Sequence, residues 1–276
     1  MLADRLWMRW VVLAIAVGLV AVYLFPVYWM YITAFKSNTE AFANPPTFWP
    51  QEPKPQFLRV WQEVGMATYM RNSAIIASGT VALTVLIGTG CAYALARVRT
   101  VWMDAALFAV LMMQVLPSSL MITPIFVAYS QIGLIAWPRT GVILATAAKV
   151  LPLYIVLVRA AFTQVPRELE EAALVDGNSR VGAFLFIAVP LARNGILVTA
   201  ILIFLQSMGE YVYSRSLITD RAYQPATVGL QFLTGPNATD WSRIMTFAAI
   251  YVTPILALFV ILQRKIVAGL TSGALK

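Results

Sequence analysis

Read for hydrophobic and polar positions, the chain alternates between long apolar runs and short polar breaks. The first run opens at Trp10 and ends near Ala34, and Val11 to Ile32 is long enough to cross a bilayer, which takes about 20 residues. Signal-peptide cores are shorter, about 7–15 residues, so this run is expected to be a retained helix. Trp7 and Trp10 at one end, and Tyr28, Trp29 and Tyr31 at the other, sit where interfacial aromatics belong. Further runs predict spans at about 73–96, 102–129, 140–162, 194–213 and 244–262. Small residues in the second, such as Gly79 and Gly88, permit close helix packing. Pro117 and Pro124 predict a kink in the third. The fold class read from the pattern is an all-α membrane protein of about six transmembrane helices.

The polar breaks fix the organisation. Residues 1–9 form a basic N-terminus, 10–263 the transmembrane domain, and 264–276 a tail. Lys36 to Arg71, with Pro45, Pro46, Pro50, Pro53 and Pro55, cannot be one continuous helix. With six spans both termini share a side. That side collects Arg5, Arg9, Arg97, Arg99, Arg159, Arg167, Arg180, Arg193, Arg264, Lys265 and Lys276. The bias places both termini in the cytoplasm.

Residues 164–193 form the most charged of the cytoplasmic stretches. Pro166 suits a first helical position, with Glu168, Glu170 and Glu171 where a helix dipole favours negative charge. Leu169, Ala172 and Ala173 are expected to share an apolar face. Asp176-Gly177 stops this helix, with Gly177 in the left-handed conformation. Ser179 caps a second helix whose face of Val181, Phe184, Leu185 and Ala188 ends before Pro190. The expectation is two short amphipathic helices lying at the membrane, which read on pattern alone are either a plain connector or a docking element.

Composition narrows the chemistry. The 276 residues are 60% hydrophobic and 12% charged, against about 25% charged in a soluble domain. The net charge of +8 is spread singly between apolar runs, unlike a nucleic-acid-binding stripe. With no histidine and the single cysteine Cys91, a Cys/His zinc site, an intramolecular disulfide and a Ser-His-Asp triad are excluded. No G-x-x-x-x-G-K-[ST] loop is present, so ATP hydrolysis is not expected of this chain. The reading is of a non-catalytic subunit that carries no cofactor and no metal.

Glu171-Ala172-Ala173, Asp176-Gly177, Pro190 and Gly195, preceded by Pro166-Arg-Glu-Leu-Glu170, resemble the EAA loop of binding-protein-dependent ABC importer permeases. Phe25-Pro26, Trp29-Met30, Phe35-Lys36, Asn72-Ser73, Ala92-Tyr-Ala-Leu-Ala-Arg97 and Ile132-Gly133-Leu134 extend the resemblance to carbohydrate-type permeases. The end, Gln263-Arg264 followed by Gly269-Leu-Thr-Ser-Gly273-Ala-Leu-Lys276, is similar to the second, shorter permease of maltose-type systems. Asn194 stands where the family usually has proline, and Met208-Gly209 where it often has Trp-Asn.

The resemblance implies a type I importer permease of a prokaryotic inner membrane, translocating a carbohydrate-class solute. Glu168, Glu171, Ala172, Ala173, Asp176 and Gly177 would form the coupling helix that docks on the ATPase. Gly269, Leu270, Thr271 and Gly273 would reach the ATPase interface. Implied partners are a homologous second permease, an ATP-binding cassette dimer holding ATP and Mg, an extracytoplasmic solute-binding protein and membrane lipid. Other solutes, such as glycerol-phosphate diesters or polyols, and a self-contained secondary transporter are the alternatives. A secondary transporter would carry inverted repeats with paired broken helices, and no second copy of the Pro117/Pro124 pattern stands out.

Two charges fall inside expected spans. Lys149 lies about ten residues past Arg139, or roughly 15 Å along a helix, and Glu210 is expected in the upper half of the fifth span. Such charges face a cavity or a partner. Either Lys149, Gln206, Ser207, Glu210 and Tyr211 line a solute path, or the two charges pair with each other or with the second permease.

Overall fold

The computed structural model describes residues 2–98, 100–234 and 239–271, with side chains over 7–98, 100–234 and 239–263. Gly273 lies outside the described residues, and Gly269, Leu270 and Thr271 are described as backbone only. Among the described residues the regular structure is helical throughout. In chain order the helices are α1 (Leu2–Phe35), α2 (Asn38–Ala41), α3 (Phe57–Val64), α4 (Met66–Arg97), α5 (Val101–Met112), α6 (Ser118–Gln131) and α7 (Pro138–Thr163). There follow α8 (Arg167–Val175), α9 (Arg180–Ala183), α10 (Val189–Met208), α11 (Val212–Leu217), α12 (Ala226–Gly229) and α13 (Trp241–Thr271).

Five stretches are long and apolar enough to cross a membrane: Trp7–Phe35, Met66–Arg97, Pro138–Thr163, Arg180–Met208 and Trp241–Gln263. The third expected span differs from the others. Its two halves, Val101–Val115 and Ser118–Gln131, are bent by 97°. Pro117 supplies the break, because it has no N–H to donate and disfavours helix in Leu116, whose φ/ψ of −70°/119° is extended. Pro124 produces no comparable break; it sits inside α6 with helix on both sides. The kink expected at two prolines is therefore a right-angle turn at one.

The chain divides into two compact units. The first combines residues 1–67 with 230–254. The apolar stretch of α1 from Trp7 to Pro26 is exposed, while its end, Ile32 to Ala34, is buried. Thr246 Oγ1 donates to the Ala34 carbonyl at 3.2 Å, Tyr31 and Thr253 hydroxyls meet at 2.6 Å, and the Trp241 amide donates to Asn38 Oδ1 at 3.0 Å. The proline-rich loop folds back on α1. Lys36, 1% exposed, donates to the Thr47 carbonyl and lies 4.6 Å from the centre of the Trp29 ring. Phe48 packs edge-on against Trp29 at 5.8 Å.

The second unit holds 68–229 and 255–276. Its main core joins Ala92 and Ala96 of α4, Val150, Tyr154, Val158 and Phe162 of α7, and Ala192, Ile196 and Ile203 of α10. The small residues of α4 act as expected at Gly88, where an added Cβ would stand 2.4 Å from the Tyr154 ring. Tyr154 is fully buried, and its hydroxyl meets Thr89 Oγ1 at 2.8 Å. Asn72 and Ser73 clamp the loop after α11. The Asn72 amide donates to the Ala222 and Gln224 carbonyls at 2.9 and 3.0 Å, and Ser73 Oγ accepts from the Ala226 amide at 2.9 Å.

Candidate functional site

The hairpin at 164–193 is built as its local signals require at the turn. Helix α8 ends in a double cap: the Gly177 amide donates to the Leu174 carbonyl at 3.1 Å and the Asn178 amide to the Ala173 carbonyl at 2.9 Å. Gly177 has φ +89°, a conformation that disfavours a side chain. Ser179 Oγ then accepts from the Gly182 amide at 3.0 Å and starts the next helix. Pro166 sits one residue earlier than expected, at the N-cap of α8.

Two features depart from the expectation. The second hairpin helix does not stop before Pro190. A π-helical turn at Phe184–Ala188 joins α9 to α10, and helix runs unbroken from Arg180 to Met208. A wider i→i+5 turn eases the clash between the Pro190 ring and the carbonyl one turn back, which an α-turn would impose. The fifth span thus begins in the hairpin itself.

The second departure is the orientation of α8. Leu169 and Ala172, expected to share an apolar face, are turned outward and exposed, and Ala173 is half-buried. The residue turned inward is Glu170, 7% exposed. Its carboxylate accepts from the Tyr93 hydroxyl at 2.5 Å and from Arg97 Nε at 3.0 Å. Arg97 also donates to the Phe162 and Val165 carbonyls at 3.0 and 3.1 Å, and Arg167 donates to the Arg97 carbonyl at 2.8 Å. This cluster ties the root of α8 to the end of α4. Glu170 is not among the site residues expected from the sequence; the signal is the roughly 100° that separates it from Glu171 around a helix of 3.6 residues per turn, which turns only one of the two toward the protein.

With Glu170 inward, the outer surface of the hairpin is both apolar and acidic. Leu169, Leu174, Val175, Val181 and Leu185 are exposed, Val175 by 87%, and Glu168, Glu171 and Asp176 are exposed beside them. Lone apolar residues need no explanation, but a cluster of this kind rimmed by charge marks an interaction surface.

A second candidate lies where α7 and α10 pass each other. A cavity of about 230 Å³ is lined by Thr146, Lys149, Val150, Gln206, Gly209, Glu210, Tyr211 and Val212. It gathers four of the five residues named for a solute path. Ser207 is not among the lining residues; its hydroxyl is buried without a partner. Thr146 was not anticipated, although it lies one helical turn before Lys149 on α7.

Glu210 is not inside the fifth span. Helix α10 ends at Met208, and Glu210 caps α11: Oε1 accepts from the Tyr213 amide at 2.7 Å, and Oε2 from the Ser214 amide and hydroxyl at 2.9 and 2.6 Å. Among the described residues no ion pair joins Lys149 to Glu210 or to any other carboxylate.

The comparison with known families decides the identity. Residues 84–272 match the profile of the binding-protein-dependent transport system inner membrane component. The chain belongs to this family. It is an ABC importer permease, similar to permeases named for sugar transport. The chain is 30% identical over 255 residues to the sulfoquinovosyl glycerol transport system permease of Agrobacterium fabrum, covering 92% of this chain and 89% of that one. A diacetylchitobiose uptake permease of Streptomyces coelicolor is 30% identical over 276 residues, covering 100% and 98%. A trehalose transport permease of Mycobacterium tuberculosis is 36% identical over 208 residues, covering 74% and 75%. The crystal structure of a bacterial ABC transporter involved in import of the acidic polysaccharide alginate has the same fold, with a TM-score of 0.77 at 18% identity over 95% of this chain and 97% of that one. The permease fold thus accounts for the hairpin, and the family match covers both the hairpin and the Lys149 cavity.

Proposed function

We propose that this permease subunit works with a second, homologous permease, an ATP-binding cassette dimer and an extracytoplasmic binding protein to import a sugar-class solute. The observation that carries this reading is the exposed surface of α8 and α9. Its leucines and valines fill an apolar cleft on the ATPase, and Glu168, Glu171 and Asp176 pair with basic groups around it. Ala172 permits close approach, and Gly177 sets the angle between the helices. Nucleotide-driven closure of the ATPase moves this surface, and helix α10 carries the movement into the membrane. The tail at Gly269, Leu270, Thr271 and Gly273 adds a second contact with the ATPase. ATP and Mg belong to that partner, and this chain is non-catalytic. Both termini face the cytoplasm in this arrangement.

The Lys149 cavity lies on the solute path. Relatives of the family are named for diacetylchitobiose, trehalose and sulfoquinovosyl glycerol, and the fold is shared with an importer of an acidic polysaccharide. A sugar-class cargo follows for this chain, with charge left open by the relatives themselves.

The test is co-purification of the detergent-solubilised chain from its native membrane. Recovery of a second permease and an ATPase, lost on changing Leu169 and Val175 to Asp, is the expected result. Recovery of the chain alone, transporting in liposomes without ATP, would replace the reading with a self-contained carrier.

A further inference from the structure

Lys149 stands near the midpoint of α7, a 26-residue membrane-spanning helix. A cationic side chain at that depth is costly and persists where a partner, a cavity or water compensates it. The interface lies roughly 15 Å away along the helix, too far for the four-carbon stem to reach. The ordinary compensation is a carboxylate partner, and among the described residues Lys149 has none.

Glu210 is the one acidic residue that lines the same cavity, and both its oxygens are engaged by the Tyr213 and Ser214 amides and the Ser214 hydroxyl. A second observation points the same way. Thr146, one turn before Lys149, lines the cavity and is 2% exposed, and its hydroxyl has no hydrogen-bond partner. Buried hydroxyls without partners are uncommon in folded proteins and call for an explanation. The Gln206 side chain adds a neutral amide to the lining. The cavity therefore offers an ammonium donor, a hydroxyl donor and an amide, all toward one space beside the α7–α10 contact.

We propose that Lys149 binds a negatively charged group on the solute, a carboxylate, sulfonate or phosphate, with Thr146 and Gln206 as neutral donors beside it. The cargo is then an acidic sugar rather than a neutral one. The inference rests on the importer reading above and narrows its substrate class. Charge-assisted hydrogen bonds to such groups are shorter and stronger than neutral ones. Lys149 and Gln206 are exposed at the surface of this chain while Thr146 is buried, and one charge-assisted bond there sorts charged from neutral sugars of the same size. Among the described residues no carboxylate of this chain competes for the ammonium.

The test uses the whole importer, with its second permease, ATPase and binding protein, in proteoliposomes. Two labelled panels are supplied: oligogalacturonates, oligoguluronates, hexose phosphates and a hexose sulfonate, and the neutral galacto- and gluco-oligosaccharides of matching length. ATP-dependent uptake from the acidic panel is expected. In Lys149→Met, uptake at limiting solute should fall roughly ten-fold or more, the loss of one hydrogen bond to a charged group. Lys149→Arg, which keeps the charge, should retain most of it. Co-purification of each variant with the other subunits separates a lost contact from a lost fold. Uptake confined to the neutral panel, or acidic uptake that Lys149→Met leaves unchanged, overturns the proposal and assigns Lys149 to a carboxylate of the second permease. Uptake of neither panel by an intact complex also overturns it. A chain that purifies without an ATPase refutes the importer reading instead.

Discussion

Arg97 and Glu170, 73 residues apart in the chain, meet where the last turn of α4 reaches the first turn of α8, with Arg97 Nε 3.0 Å from Glu170 Oε1. Their side chains are 14% and 10% exposed. The pair has company that makes burial tolerable: Tyr93 donates to the same carboxylate, and Arg97 satisfies the Phe162 carbonyl at the end of α7 and the Val165 carbonyl just beyond it. Removing one member of such a buried pair costs roughly 3–5 kcal/mol, because the survivor keeps its charge without compensation. Glu170→Gln and Arg97→Met are each expected to lower the thermal midpoint of the purified permease and to weaken ATPase co-purification. Replacing both by apolar residues of similar size should recover much of the stability. Equal losses in the single and double variants would contradict this account.

Gly177 sets the angle between α8 and α9. At φ +89° an alanine costs about 1–2 kcal/mol, while the space around its Cβ position is open. Gly177→Ala is therefore expected to insert normally and to reduce solute uptake more than abundance. Gly182→Ala tests a different constraint, since its Cβ would stand 1.9 Å from Asn178 Oδ1. Displacing Asn178 should disturb the same turn, and both effects can be read by comparing uptake with membrane content on immunoblots.

Tyr154 tests the core of the second unit. Its hydroxyl is bonded to Thr89 in a buried setting, so Tyr154→Phe leaves the Thr89 hydroxyl unpaired and is expected to cost about 1–3 kcal/mol. Adding Thr89→Val should return part of that loss. A thermal-shift series in one detergent, with no recovery in the double variant, would show that the bond contributes little.

The loop after α1 carries a pH-sensitive contact. Glu40 accepts from the Gln51 amide at 2.8 Å and from the Thr47 hydroxyl at 3.1 Å. The Gln51 amide is the larger cause that holds its carboxyl below the usual value, with Thr47 and the nearby Lys36 charge assisting and partial desolvation opposing. A depressed carboxylate pKa stabilises the fold above the ordinary carboxylate range and loses that contribution as pH falls through the depressed value. Protease protection of this loop should therefore weaken on acidification below about pH 4. In Glu40→Gln the protection should be weaker at neutral pH and nearly flat across the same window.

What the sequence made legible was local. Asp176-Gly177 followed by Ser179 specifies a stop and a start within a few residues, and no distant contact is needed to read it. The bilayer-length runs were legible for the same reason, since lipid imposes one rule on every residue in them. Glu170 was not, because its inward turn depends on Arg97 and Tyr93 on another helix. Pro190 misled in the opposite sense: proline usually ends a helix, yet a π-turn accommodates it. At Glu210 the local hydropathy outweighed the signal of Tyr213 and Ser214, whose free amides attract a carboxylate as soon as α10 ends. Pro117 and Pro124 look alike in sequence and differ only in whether the surrounding helix can absorb them.

The unbroken helix from Arg180 to Met208 spans 29 residues, or about 43 Å at the α-helical rise. One end is the hairpin's Ser179 cap; the other delivers Gln206 to the cavity beside Lys149. The π-helical turn at Phe184–Ala188 is the irregular turn between them, and α10 continues from Val189 to Met208. Tilting its lower end by a few degrees shifts its upper end by a few ångströms, comparable to the span of a hydrogen bond. A change of tilt at the hairpin end would thereby alter how Gln206 meets whatever occupies that cavity, with no intermediate signal to relay.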